Sequence, residues 1–102
     1  MNKDDWKEGT VQEFLDLSDS DMALVETKVA LARAFRRQRI TSHLTQMDMA
    51  RAMRTTKTRV ARIEAGDPNI PLDLVFKALY TVGFTPFDIG GVMRETDAVY
   101  SE

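Results

Sequence analysis

Met49, Ala50, Met53, Val60 and Ile63 constrain this chain more tightly than any other residues in it. The first three fall on one face of a short helical stretch, Gln46–Met53, and the last two on the inner face of a second, Lys57–Glu64. Thr45 stands before the first stretch as a good N-cap, with Asp48 in the first turn, where negative charge suits the helix dipole. Thr56 does the same for the second. Only three or four residues join the two stretches. Such a connection makes the helices cross steeply and leaves the second one protruding. Ala50 lets them approach, the four larger side chains fill the space between them, and Lys57, Thr58, Arg59 and Arg62 are left outside.

Helical periodicity continues on both sides of this pair. Ser18-Asp19-Ser20-Asp21 is rich in N-capping residues and precedes a long helix expected from about Asp21 to Gln38. Leu24, Leu31 and Phe35 form one stripe on it, and Val25, Val29 and Ala32 form a second, which needs a partner of its own: the N-terminal segment or another subunit. Arg39–Leu44 then reads as a connection. Gly66 stops the Lys57–Glu64 helix, Asp67-Pro68-Asn69 reads as a turn, and Pro71 suits the first turn of a helix burying Leu72, Val75, Leu79 and Val82 and ending at Gly83. Paired glycines make a helix interior costly at Gly90-Gly91, and Phe87 and Ile89 alternate. Residues 84–92 therefore read as a short extended segment, with Thr85-Pro86 as the alternative start of a last helical turn. The fold expected is all-α, a compact bundle of four to five helices with a short C-terminal strand. It spans residues 18–93, between an N-terminal arm (1–17), whose Phe14, Leu15 and Leu17 pack back in a short amphipathic turn, and a frayed acidic tail (94–102).

Composition narrows the function. The chain has 102 residues, no cysteine and one histidine, His43, which argues against disulfides and against thiolate or imidazole metal sites. No carboxylate pair stands with a nucleophile, a phosphate-cradling glycine loop or metal-ligand spacing, so neither an enzyme nor a cofactor is expected. No apolar run approaches membrane-spanning length and the N-terminus is acidic and polar, so a cytoplasmic protein without a membrane partner is expected. The net charge of −2 hides a strong segregation. Residues 28–62 carry ten basic side chains against Asp48 alone, a net of +9, between flanks of −6 and −5. Local potential decays over roughly 8 Å at physiological salt, so this central segment can attract a polyanion despite the total. By charge alone, Arg33, Arg36, Arg37 and Arg39 fit backbone contact and plain solvation equally.

From Leu44-Thr45-Gln46, through Met49-Ala50, Met53, Thr56 and Val60, to Arg62-Ile63-Glu64 and Gly66, the chain resembles the Cro/phage-repressor (XRE-type) helix-turn-helix family. With the flanking helices the resemblance covers roughly residues 21–83, and the N-terminal extension is similar to antitoxins of the HigA kind. Two positions depart from the pattern: Arg54 replaces the usual turn glycine, at a cost of about 1 kcal/mol, and Ala65 replaces a frequent Asn. The resemblance implies a lambda-repressor-like bundle in which Lys57–Glu64 enters the major groove of operator DNA. It implies that Gln46 and Thr56 grip phosphates, that Lys57, Thr58 and Arg59 reach base edges, and that Arg62 meets a base edge or the backbone. Lys57 or Arg59 would then bond guanine, and the Thr58 methyl would touch thymine.

The expected function is a transcriptional repressor binding a palindromic operator as a homodimer, with the second stripe of the first helix and residues 84–92 as candidate subunit contacts. The alternative is an antitoxin that also masks a toxin protein, for which the acidic arm suits a basic, RNA-cleaving partner. A third option is structured RNA, or a protein, on the same basic face. Trp6 reads either as a partner anchor or as a ring tucked against the domain, the six methionines as core, and His43 as a loop residue without a role.

Overall fold

Reciprocal hydrogen bonds between short polar side chains and backbone decide where the helices begin. In the computed structural model, which describes Phe14 and residues 16–100, helix α1 spans Asp19–Thr41 and is capped by Ser18. Its Oγ accepts from the Asp21 N–H at 3.1 Å while the Asp21 carboxylate accepts from the Ser18 N–H at 3.2 Å, a closed capping box. Thr45 and Asp48 repeat that exchange, at 3.0 and 2.8 Å, at the start of α2 (Gln46–Met53). Thr56 opens α3 (Lys57–Glu64) by accepting from the Arg59 N–H at 3.1 Å. Pro71 stands one residue ahead of α4 (Leu72–Thr81) rather than inside its first turn. The last helix is α5, Pro86–Tyr100. Among the described residues the chain is all-helical, with these five elements and no strand.

The first four helices end alike. In each, the cap residue or the one after it turns left-handed, its N–H bonds the carbonyl three residues back, and the next N–H reaches five back. His43 does this after α1 (φ 58°), Arg54 after α2 (φ 57°), Gly66 after α3 (φ 70°) and Gly83 after α4 (φ 100°). The deeper bonds are Leu44 N–H to Arg39 (3.1 Å), Thr55 to Ala50 (2.9 Å), Asp67 to Arg62 (3.2 Å) and Phe84 to Leu79 (3.0 Å). Arg54 and His43 carry the strain of a side chain in the left-handed region, roughly 1 kcal/mol each. At Gly66 the turn also lies against α1, where an added Cβ would sit 3.3 Å from a Val29 methyl.

One core joins all five helices. It takes Leu31 and Phe35 from α1, Met49, Ala50 and Met53 from α2, Val60 and Ile63 from α3, Val75, Ala78 and Leu79 from α4, and Ile89 from α5, with Ile70 and Val82 from the connections. Phe35, Leu31, Val60 and Leu79 are fully buried, each adding about 1.5–3 kcal/mol of apolar burial.

Several expectations need correction. The short C-terminal strand does not exist: residues 86–100 are helix α5. Thr85 and Asp88 form a third capping exchange, at 2.8 and 3.2 Å, and Pro86 occupies the first helical position, where its missing N–H costs nothing. That cap and the burial of Ile89 against the core outweigh the two glycines, which cost about 1 kcal/mol each. Nothing lies within 4 Å of a Cβ built on Gly90 or Gly91, and the fold does not explain why glycine stands at either. The helix also continues past Met93, through Tyr100. At the other side, α1 runs on through Thr41 into what reads as a connection.

The second stripe of α1 is partly covered within the chain: Ala32 is buried and Val29 half-buried, but Val25 stays 39% exposed. Helix α5 lies along α1, with Val25, Val29 and Ala30 facing Val92 and Thr96 across a shallow groove. Leu24 is half-exposed and does not join the core. Phe14 is 86% exposed and is not packed on the domain, whereas Leu17 is half-buried. Trp6, Leu15 and the rest of the arm before Phe14 lie outside the described residues, as do residues 101–102.

Candidate nucleic-acid interface

Helix α3 is held by one side and displayed by the other. Val60 and Ile63 are buried, and the Glu64 side chain is 5% exposed. At about 100° per residue, Thr58 and Arg62 then lie opposite the core, with Lys57 and Arg59 on the two flanks. Thr56, Lys57, Thr58, Arg59 and Arg62 are all exposed. Because the Thr56 Oγ accepts the Arg59 N–H, its hydroxyl proton is left to donate outward. The break at Arg54–Thr56 separates α2 from α3, so Gln46 through Glu64 is not a continuous rod.

Two of the candidate residues are engaged. Gln46 is half-buried, and its Nε2 donates to Glu64 at 3.3 Å. Arg62 Nε donates to the Asp67 carboxylate at 2.7 Å, with its side chain 46% exposed. The closure of α3 explains this pair: bonding the Asp67 N–H to the Arg62 carbonyl folds Asp67 back beside Arg62. Asp67 also accepts the Asn69 N–H at 2.8 Å. That backbone bond first, and then Arg62, hold its carboxyl below the usual carboxylate range. Asp48 is lowered in the same way, chiefly by the Thr45 N–H.

Of the α1 arginines, Arg39 is neither a solvated charge nor a free contact. Its side chain is 12% exposed; Nε and Nη2 both donate to Glu64, the latter at 3.0 Å, and Nη1 donates to the Leu44 carbonyl at 2.7 Å. Glu64 thus ties α1, α2 and α3 together. Arg36 leans towards the same carboxylate at 3.8 Å but is largely exposed, while Arg33 and Arg37 border the α1–α5 groove.

The roles of Asp67, Glu64 and Lys28 are not evident in the sequence pattern. Lys28 is 9% exposed, and its Nζ donates to the Pro68 and Ile70 carbonyls at 3.1 and 2.8 Å, clasping the loop after α3 from behind. One signal was available for it: a lone lysine between the apolar residues Val25, Val29 and Leu31. Among the described residues no group of three His, Cys, Asp or Glu side chains is placed to hold a metal ion, and no helix is long and apolar enough to cross a membrane. Comparison with protein-family models, curated proteins and solved structures finds no match to the chain.

Proposed function

We propose that this chain is a sequence-specific DNA-binding transcriptional regulator, a repressor of the XRE helix-turn-helix type, that binds a palindromic operator as a homodimer. One observation carries this reading: α3 buries Val60 and Ile63 and turns Thr58 and Arg62 outward, flanked by Lys57 and Arg59, from a corner at Arg54. An eight-residue helix with that division is held by its neighbours and presents its first turn to a groove about 12 Å wide. Thr56 and the free N–H groups of that turn meet phosphate, while Lys57, Thr58 and Arg59 meet base edges. Two-fold symmetry places two such helices about 34 Å apart. The outer side of α5, where Phe87 is 77% exposed, is the face for the subunit contact.

The test is a fluorescence-anisotropy titration against duplexes chosen by in vitro selection. Lys57→Ala and Arg59→Ala should each weaken binding, and at least one should lose base preference. Unchanged affinity in both variants would remove the assignment.

A further inference from the structure

Arg62 is the one outward cation of α3 whose guanidinium is oriented by a carboxylate. Only its Nε is used, at 2.7 Å from Asp67 Oδ2; neither terminal nitrogen donates to another described residue. The end-on edge of a guanidinium, Nη1 and Nη2 together, is the edge that matches guanine O6 and N7 in the major groove. A carboxylate on Nε fixes the plane of the group and leaves that edge forward. Asp67 can serve as such a brace because it is itself held. Its other oxygen takes the Asn69 N–H at 2.8 Å, its backbone closes α3, and the loop beyond it is clasped by Lys28 at two carbonyls.

Resting on the DNA-binding reading above, we infer that Asp67 is a positioning residue that sets Arg62 to read one guanine in each half-site. The order of recognition follows from the geometry. Among the described residues no carboxylate braces Lys57 or Arg59, which adapt to phosphate or base, whereas Arg62 arrives with its plane set and loses less freedom on binding. A lysine at position 62 cannot replace it, having one point charge in place of a fork.

The experiment is in vitro selection from a randomised duplex library with the wild type, Arg62→Ala, Arg62→Lys and Asp67→Asn, alongside affinity for an unrelated duplex. Asparagine keeps an oxygen for the Asn69 N–H, and thermal melts identify any variant that fails to fold. The wild type should select a guanine that both Arg62 variants lose. Asp67→Asn should lower the preference for that guanine about 10-fold or more, leave the other positions unchanged, and keep or raise affinity for unrelated DNA, since it removes a negative charge. In an Arg62→Ala background Asp67→Asn should change no base preference, a pattern a purely structural role would not produce. Retention of the guanine preference in Asp67→Asn, or tighter binding with the preference intact, would show that Asp67 merely masks Arg62 and would overturn the inference alone. A wild type that selects no sequence overturns both readings, and a wild type whose guanines survive Arg62→Ala overturns only this one.

Discussion

Replacing Glu64 with alanine should be among the most damaging single changes to the fold, although Glu64 lies on a helix of which half the residues are exposed. Its side chain is 5% exposed and receives two hydrogen bonds from Arg39, itself 12% exposed, and one from Gln46. Removing one member of a buried pair leaves the other charge unpaired, at about 3–5 kcal/mol. Arg39 keeps its bond to the Leu44 carbonyl and some contact with water, so about 2–4 kcal/mol is expected here. For a domain of this size each kcal/mol moves Tm by about 4–8 °C, so calorimetry or circular dichroism should show a fall of roughly 8–32 °C. Arg36→Ala serves as the control. Arg36 approaches the same carboxylate at 3.8 Å but is 64% exposed, and its loss should stay within about 0.5 kcal/mol. Replacing both charges, as Arg39→Met with Glu64→Leu, should recover part of the loss, because no unpaired charge is left, although the Leu44 carbonyl and the Gln46 amide lose a partner. A Glu64→Ala variant that melts within about 4 °C of the wild type, a loss under roughly 1 kcal/mol, would refute the reasoning.

Three further outcomes are expected. Gly90→Ala and Gly91→Ala should each raise stability by about 0.8–1.0 kcal/mol, since both sit in α5 with nothing within 4 Å of an added Cβ; denaturant midpoints check this. Lys28→Met keeps the aliphatic stem but strips the Pro68 and Ile70 carbonyls of their donor; a loss of about 1–3 kcal/mol and faster hydrogen exchange in residues 66–70 are expected. The folded-state lowering of the Asp48 and Asp67 carboxyls, from an ordinary 3.8, means their contribution is complete at neutral pH. It declines as pH falls through that ordinary value and vanishes below the lowered one, so Asp48→Asn and Asp67→Asn should each flatten the acid limb of a plot of Tm against pH.

What could be read from the sequence is what local chemistry decides. Thr45 with Asp48, Thr56, Gly66 and Gly83 punctuate the chain within a few residues of themselves, and Met49, Ala50, Met53, Val60 and Ile63 are buried as their spacing requires. Residues 84–92 went wrong where two local signals opposed each other. The glycine pair argues against a helix and the Thr85–Asp88 cap argues for one, and burial of Ile89 against distant helices decides between them. His43 ends α1 in a conformation that sequence suggests only where glycine stands. Long-range pairs were illegible for another reason. Arg39 meets Glu64 across 25 residues, and Lys28 meets Pro68 and Ile70 across 40 and 42; the apolar neighbours of Lys28 hint that it turns inward, but nothing near either cation names its partner. For the same reason Gln46, first in its helix, gives no sign that its amide rests on Glu64.

On the proposed DNA-binding reading, those inward cations alter how the protein would meet a polyelectrolyte. Residues 28–62 contain ten basic side chains, yet Lys28 and Arg39 are occupied inside the domain and displace no counterions from a nucleic acid. Each phosphate left uncontacted makes the fall of log affinity with log salt shallower by about 0.9 on duplex DNA. The steepness of a salt titration would therefore count the cations that face outward, and the formal charge of the segment overstates them.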